Sequence, residues 1–163
     1  MEWKIIMMFN IFIFINMKLI AHRGNINGPS TNENKPEYIL HAISLGYYVE
    51  IDLWKIGDSL FLGHDKAEYP ITLDFFTPFV REFVYVHAKN IPALKFLVDN
   101  DINCFSHDKD NAVLTLRGEI WTFPGQELTT KSICVMPEWI TKDINTIKNV
   151  AGICSDFVGK IVR

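Results

Sequence analysis

The chain has 163 residues, enough for one domain with a hydrophobic core and too few for a second domain of ordinary size. Its formal net charge of −3 and its scattered lysines and arginines argue against a nucleic-acid-binding surface. Three cysteines lie in apolar stretches without metal-ligand spacing, which favours a reducing, cytoplasmic setting: Cys104, Cys134 and Cys154.

Residues 1–17 form an apolar N-terminal extension that differs from the rest of the chain. Its apolar core, residues 5–15, is too short for an ordinary membrane-spanning helix, which needs about 20 residues. We expect a mis-assigned start upstream of Met17, with a membrane-associated leader as the alternative. Association with a membrane is expected only if that leader is genuine. Residues 18–163 are then predicted to form a single domain.

Apolar stretches bounded by turn residues predict strands along the rest of the chain, and a helical spacing of apolar residues predicts helices between them. The predicted strands are 18–21, 48–53, 60–62, 83–86, 102–105, 119–123, 133–136 and 152–155. The predicted helices are 36–45, 91–99 and a weaker one at 143–150. Gly57 and Asp58 predict the turn of a hairpin between the second and third strands.

This alternation of strands and helices predicts an α/β fold with mainly parallel strands. With seven or eight strands, the expectation is a compact, trimmed (β/α) barrel of the TIM type. Such barrels typically need ~250 residues, so an open sheet is the alternative.

Several predicted strands end in ionisable residues where packing alone would favour apolar ones. His22 and Arg23 follow the first strand, Glu50 and Asp52 lie in the second, and His64 follows the hairpin. Because the ends of parallel strands meet at one edge of a sheet, this pattern predicts an active site there.

The chemistry of these side chains suits a phosphodiester. The planar guanidinium of Arg23 matches phosphate oxygens, and the imidazoles of His22 and His64 titrate near neutral pH and can act as acid and base. Glu50 and Asp52 are two residues apart on one strand, so both leave the same face and can bind one cation. Hard carboxylate ligands favour Mg²⁺ or Ca²⁺.

Four motifs in this order resemble the signature of the glycerophosphodiester phosphodiesterase family, which is related to the phosphatidylinositol-specific phospholipase C barrels. They are His22-Arg23-Gly24, Glu33-Asn34, Glu50-x-Asp52 and Gly63-His64-Asp65, and residues 152–156 are similar to the family's closing strand. The resemblance implies a phosphoric diester hydrolase in lipid metabolism that cleaves a small glycerophosphodiester-like substrate with metal assistance. It also implies that His22 and His64 are the acid and base.

One position departs from the family pattern. The family has a third metal-binding carboxylate two residues before a lysine, whereas this chain has His87 before Lys89. Three alternatives remain: a metal such as Mn²⁺ or Zn²⁺ that accepts imidazole, a two-carboxylate site completed by water, or no metal. Lys89 keeps its place and is expected to bind phosphate or stabilise the leaving group.

Other interpretations stay open at this point. The chain is either an enzyme or a catalytically degenerate phosphoester-binding protein on the same barrel, and Glu50 and Asp52 alternatively pair with Arg23 and Lys89 as a structural ion network. Glu33-Asn34 is either a functional motif or the cap of the helix at 36–45. Four further residues lie near strand ends: Trp121, Phe123, Glu138 and Trp139. The three aromatic ones are assigned to core packing, with the wall of a pocket as the alternative. His107-Asp108 fits a pocket wall or an ordinary turn equally well.

Overall fold

A computed structural model describes residues 17–162, so the predicted extension lies outside the described residues apart from Met17. Within this range the chain forms ten strands and three α-helices. The strands are β1 (Lys18–His22), β2 (Tyr48–Ile56), β3 (Ser59–Leu62), β4 (Tyr69–Ile71), β5 (Val84–Ala88), β6 (Cys104–Phe105), β7 (Ala112–Leu114), β8 (Ile120–Thr122), β9 (Ser132–Val135) and β10 (Gly152–Ser155). The helices are α1 (Pro36–Ser44), α2 (Pro78–Phe83) and α3 (Ile91–Asp99).

The strands form one mixed sheet that curves into a half-barrel, so the predicted compact TIM-type barrel of mainly parallel strands is wrong. Parallel pairings join seven of the described strands in the order β6, β5, β2, β1, β10, β9, β8. The hairpin β3–β4 adds to β2, and β7 adds to β8, by antiparallel pairing. The described chain has too few helices to cover each strand, which a closed barrel of that type requires.

Helices α1 and α3 confirm the predictions at 36–45 and 91–99. Pro36 stands in the first turn of α1, where its missing N–H costs no hydrogen bond. The Asn90 side chain accepts the N–H of Ala93 and so caps α3, at 2.9 Å. Only a short 3₁₀ turn (Ile144–Thr146) forms in the third predicted region, so the helix predicted at 143–150 is wrong.

Alternation along the strands separates two faces of the sheet. The outer face carries residues such as Ile51 and Val86, and buries them together with Ile39 of α1 and Leu97 of α3. The inner face holds a second apolar cluster: Ile20, Tyr85, Phe105, Trp121, Ile133, Val135, Met136 and Cys154. The next inward positions of β1 and β5 are His22 and His87, so this part of the concave face changes from apolar to ionisable toward the ends of the strands.

None of the helices within residues 17–162 has the length and apolarity needed to cross a membrane.

Candidate functional site

Strand register brings the ionisable residues together. His22 at the end of β1 lies opposite Glu50 of β2, and Asp52 lies opposite His87 of β5. All four positions alternate with outward-facing apolar residues, so their side chains point into the half-barrel. A cavity of about 600 Å³ opens there, and all seven residues predicted from the sequence line it: His22, Arg23, Glu50, Asp52, His64, His87 and Lys89.

Three of these residues form a cluster that can hold a metal ion. Glu50, Asp52 and His87 each offer one ligand atom, and these atoms lie within 4.8 Å of one another. The three residues are 3%, 1% and 8% exposed. Burying two carboxylates side by side is costly unless positive charge compensates them. The donor set therefore fits a divalent cation.

The two carboxylates have opposite electrostatic environments. Burial and the charge of Asp52 raise the pKa of Glu50 above its ordinary value. Burial acts in the same direction on Asp52, but the hydrogen bond and charge of His87, together with the Lys89 ammonium, lower the pKa of Asp52 well below its ordinary value. For Glu50, the nearby positive charges of His22, Arg23 and His87 do not outweigh burial and the Asp52 charge.

Asn34 fixes the Asp52 side chain. Its Nδ2 donates to Oδ2 of Asp52 at 2.9 Å, and its Oδ1 accepts the backbone N–H of Asp52 at 2.9 Å. The helix-capping alternative for Glu33-Asn34 is wrong, because α1 begins after Lys35 without a side-chain cap. Asn34 has φ of 62°, a left-handed conformation that asparagine tolerates better than most residues.

Arg23 is held by three acidic residues. Its backbone N–H donates to Oε2 of Glu50 at 3.2 Å, and Nη1 donates to Oε2 of Glu33 at 3.1 Å. Its Nε lies 3.4 Å from Oδ2 of Asp52 and is buried without a hydrogen-bond partner. Lys89 Nζ also lies near Asp52, 3.5 Å from Oδ1. The predicted ion network therefore forms around Asp52, whereas Glu50 meets the backbone of Arg23.

His22 is oriented by a residue far away in the sequence. Its Nδ1 lies 2.8 Å from Oδ1 of Asp156, and its Nε2 lies 3.9 Å from Oε2 of Glu50. Burial lowers the pKa of His22, but the hydrogen bond to Asp156 and the charge of Glu50 outweigh it and raise the pKa above its ordinary value. Asn25 donates to the same Asp156 oxygen at 2.8 Å.

Asp156 is a site residue whose role the sequence did not reveal, although it ends the 152–156 motif. Glu138 supports it: Oε1 of Glu138 accepts the backbone N–H of Asp156 at 2.9 Å and the hydroxyl of Ser155 at 2.8 Å. Local spacing does not predict these two contacts, because Glu138 lies between β9 and β10 whereas Asp156 follows β10.

His64 lies at the more exposed side of the cavity. Its Nδ1 is 2.7 Å from Oδ1 of Asp65, and its side chain is 40% exposed. Burial, with the charges of Arg23 and Lys89, lowers the pKa of His64 below its ordinary value despite Asp52. The pKa values of His22 and His64 are thus shifted in opposite directions, which suits one proton donor and one proton acceptor.

Aromatic rings hold the plane of His87. Its ring stacks on Phe105 at 5.2 Å between centroids and on His107 at 4.5 Å. His107 therefore lines the pocket, as one of its two interpretations predicted. Trp121 is 2% exposed and packs in the inner core, but it also lines the cavity, so both interpretations apply to this residue. Trp139 is 70% exposed at the cavity, so the packing prediction is wrong for that residue.

Comparisons of the chain with models of protein families, with curated proteins and with solved structures found no match.

Proposed function

We propose that this protein hydrolyses a small phosphodiester with the help of a divalent metal ion. One observation carries the proposal: three buried ligand atoms of Glu50, Asp52 and His87 lie within 4.8 Å of one another. The same cavity is lined by two histidines, and by an arginine and a lysine that can bind an anion. A phosphodiester needs these functions together: cationic groups for its oxygens and a pair of groups that transfer protons.

Glu50, Asp52 and His87 are the proposed ligands of the metal. Two carboxylates favour Mg²⁺ or Ca²⁺, while the imidazole of His87 also suits Mn²⁺ or Zn²⁺. When bound, such an ion supplies positive charge to the phosphate oxygens as negative charge develops on them.

The chain's own residues supply anion binding and proton transfer. Arg23 and Lys89 bind the non-bridging oxygens of the phosphate and orient the phosphorus for attack. One histidine, His22 or His64, removes a proton from a water molecule or a substrate hydroxyl as the new P–O bond forms. The other donates a proton to the leaving oxygen as the old P–O bond breaks, so charge and protons balance.

A phosphoester-binding protein without turnover is the second candidate, and one observation favours it. Asp52 is already contacted by Nδ1 of His87 at 3.0 Å and by the Lys89 ammonium at 3.5 Å, so its carboxylate has partners without a metal ion. Such a site would bind a phosphate ester between Arg23 and Lys89 and release it unchanged. Turnover separates the two candidates.

The test is hydrolysis of bis(p-nitrophenyl) phosphate by the purified chain. We expect activity that disappears after chelation and returns with Mg²⁺, Ca²⁺, Mn²⁺ or Zn²⁺. His22→Ala and His64→Ala should each reduce kcat by about 10²-fold or more. His41→Ala is the matched control, because His41 is an exposed histidine of α1 outside the cavity. Hydrolysis that needs no metal and survives both site substitutions would refute the proposed metal-assisted reaction at this site, whereas phosphate binding without any hydrolysis would favour the second candidate.

A further inference from the structure

The cavity has two chemically different ends. The ionisable residues of β1, β2 and β5 occupy one end. At the other end, which also includes His107 and Asp108, β6, β8, β9 and the segments after them contribute apolar side chains: Phe105, Trp121, Phe123, Val135, Met136 and Trp139. At about 600 Å³, the cavity is in the size range that holds a ligand of drug-like size. A phosphate with a three-carbon alcohol leaves the apolar end unfilled.

A smaller cavity adjoins the first one at Arg23. Its volume is about 220 Å³, and Arg23, Glu33 and His64 line both cavities. The remaining residues around it are mostly polar: Thr31, Asn34, Asp65, Lys66, Glu68 and Tyr69. The two alcohols of a diester bound at Arg23 would therefore meet different surroundings, one polar and one apolar.

Aromatic rings form a continuous wall from the metal-binding cluster to the apolar end. The ring of His87 stacks on Phe105, and Phe105 stacks on Trp121 at 4.5 Å between centroids. Phe123 contacts His107 at 4.3 Å. Trp139 lines the same cavity and is 70% exposed. No aromatic ring of residues 17–162 stacks on its indole. A large indole left uncovered beside a wall of rings is suited to a flat ligand.

We infer that the apolar end binds a planar ring, an aryl group or a nucleobase, carried by one alcohol of the phosphodiester. The inference rests on the proposed function for the position of the phosphate, and it adds the chemical class of the substrate. The ring lies against Phe123 and Trp139, while the second alcohol occupies the polar cavity beside Arg23. A planar ring gains ring–ring contacts that a saturated group of equal size does not.

The test compares binding of three phosphate monoesters to the full chain by isothermal titration calorimetry. Phenyl phosphate and cyclohexyl phosphate have the same number of ring carbons and differ in planarity, and glycerol 1-phosphate has no ring. We expect phenyl phosphate to bind about 3-fold to 10-fold tighter than cyclohexyl phosphate, as ring pairing predicts. Glycerol 1-phosphate should bind more weakly than both. Thymidine 5′-monophosphate then distinguishes a nucleobase from a simple aryl group.

Substitutions locate the ring. Phe123→Leu and Trp139→Leu keep an apolar side chain and remove the aromatic face, so each should reduce the preference for phenyl over cyclohexyl phosphate. Phe79→Leu is the matched control, because Phe79 is a 60% exposed aromatic residue of α2. It should leave the preference unchanged.

The outcomes separate this inference from the proposed function. Equal affinity for phenyl and cyclohexyl phosphate, alongside metal-dependent hydrolysis, would overturn the planar ring and leave the hydrolase. Ring preference in a protein that never hydrolyses a diester would support the ring site and refute only the enzyme. Failure of all three esters to bind would overturn the ring site, and hydrolysis of bis(p-nitrophenyl) phosphate would then decide the proposed function on its own.

Discussion

The carboxylate of Asp156 determines how His22 presents its imidazole. A carboxylate accepts hydrogen bonds and does not donate them, so the 2.8 Å contact assigns the proton to Nδ1 of His22. Nε2 is then turned toward Glu50 and can exchange a proton with a substrate. Glu138 and Asn25 in turn hold Asp156, so this orientation depends on three separate segments of the chain.

Asp156→Asn should therefore impair catalysis without removing a residue that touches the substrate. The amide lacks the charge of the carboxylate and accepts through only one atom, so the tautomer of His22 is no longer fixed. We expect kcat for bis(p-nitrophenyl) phosphate to fall by about 10²-fold with little change in KM. Asp74→Asn, at an exposed position, is the control. An unchanged kcat in Asp156→Asn would show that His22 does not depend on this contact.

The site residues could be predicted where they interrupt a local apolar pattern in the sequence. His22, Glu50 and His87 interrupt apolar strands, and an ionisable residue there is costly enough to need a reason. Asp156 was not predictable in its role, because its contact with His22 joins residues 134 positions apart. Asn34 was ambiguous for a different reason, since an asparagine before a helix is equally typical of a cap.

At the scale of elements, the β2–β3 hairpin positions His64. Gly63 has φ of 143°, and a Cβ atom there would lie 2.2 Å from the carbonyl oxygen of Lys66. Its carbonyl accepts the indole N–H of Trp54 at 2.7 Å, and its N–H donates to the backbone carbonyl of Asp52 at 3.2 Å. The backbone of Gly63 therefore connects the strand that carries Asp52 to the residue that follows it, His64.

Gly63→Ala should consequently reduce both stability and activity, because the backbone must move to remove the clash and takes His64 with it. We expect a loss of about 1–3 kcal/mol, typical of a strained backbone position, together with a lower kcat. Gly57→Ala is a matched control in the same hairpin: its φ is 57°, but a Cβ atom would meet nothing within 4 Å. Urea unfolding and steady-state kinetics measure the two effects. Equal activity in the two variants would refute a positioning role for Gly63.

A second set of contacts ties β1, β5 and the start of β8 together at the opposite end of the inner face. Tyr85 donates to Oε1 of Glu119 at 2.9 Å, and Lys18 forms an ion pair with the same oxygen. Burial raises the pKa of Glu119, but the hydrogen bonds from Lys18 and Tyr85 outweigh it and lower the pKa below 4.5. The ionised carboxylate is therefore favoured in the folded state.

Because the folded pKa is depressed, Glu119 contributes stability above its unfolded pKa and loses it as pH falls through the folded pKa. Glu119→Gln should cost about 1 kcal/mol at pH 7, allowing for solvent screening of a partly buried group. The difference from the unsubstituted chain should shrink toward zero in strong acid. Urea titrations at pH 7 and at acidic pH measure it, with Glu127→Gln as an exposed control. A difference that stays constant with pH would contradict this assignment.

Elements with a strong local signal were predictable, and elements without one were not. Apolar spacing and end signals identified α1 and α3, and the Gly57-Asp58 turn identified the β2–β3 hairpin. Short elements such as α2 and β7 were missed because six or three residues carry little periodicity. At 143–150 the Asp143 side chain accepts the N–H of Asn145 at 2.9 Å, a local contact that favours a turn over a helix.

At the scale of the whole molecule, local sequence patterns did not predict whether the sheet closes into a barrel. Local patterns specify strands, whereas closure depends on pairing between elements distant in the chain. β6 and β7 are not paired in the described sheet. The segment after β7 still contacts the β6 region, because Leu116 N–H donates to the carbonyl of Cys104 at 2.9 Å and Arg117 N–H donates to Oδ1 of Asn103 at 3.1 Å. The half-barrel still brings the strand ends together, so the site forms without a closed barrel.

Burying the Glu50 carboxylate beside that of Asp52 costs free energy, so the proposed metal site affects the stability of the whole fold. Because burial and the Asp52 charge raise the pKa of Glu50, its ionised form destabilises the metal-free chain. Glu50→Gln removes that charge while an amide oxygen can still accept the N–H of Arg23. We therefore expect the metal-free variant to be more stable than the unsubstituted metal-free chain, by about 1 kcal/mol or 2–4 °C in Tm.

Metal binding should make the unsubstituted chain more stable than Glu50→Gln. An ion that binds only the folded chain stabilises it by about 2.7 kcal/mol at a hundred times its Kd, or roughly 5–10 °C in Tm. The unsubstituted chain should show that rise with Mg²⁺, Ca²⁺, Mn²⁺ or Zn²⁺, and Glu50→Gln should lose most of it. Thermal unfolding without and with metal measures the two differences in Tm. Glu127→Gln should behave like the unsubstituted chain because Glu127 is exposed. If Glu50→Gln is destabilised without metal and still responds to the ion, Glu50 is a structural residue and the ion binds elsewhere.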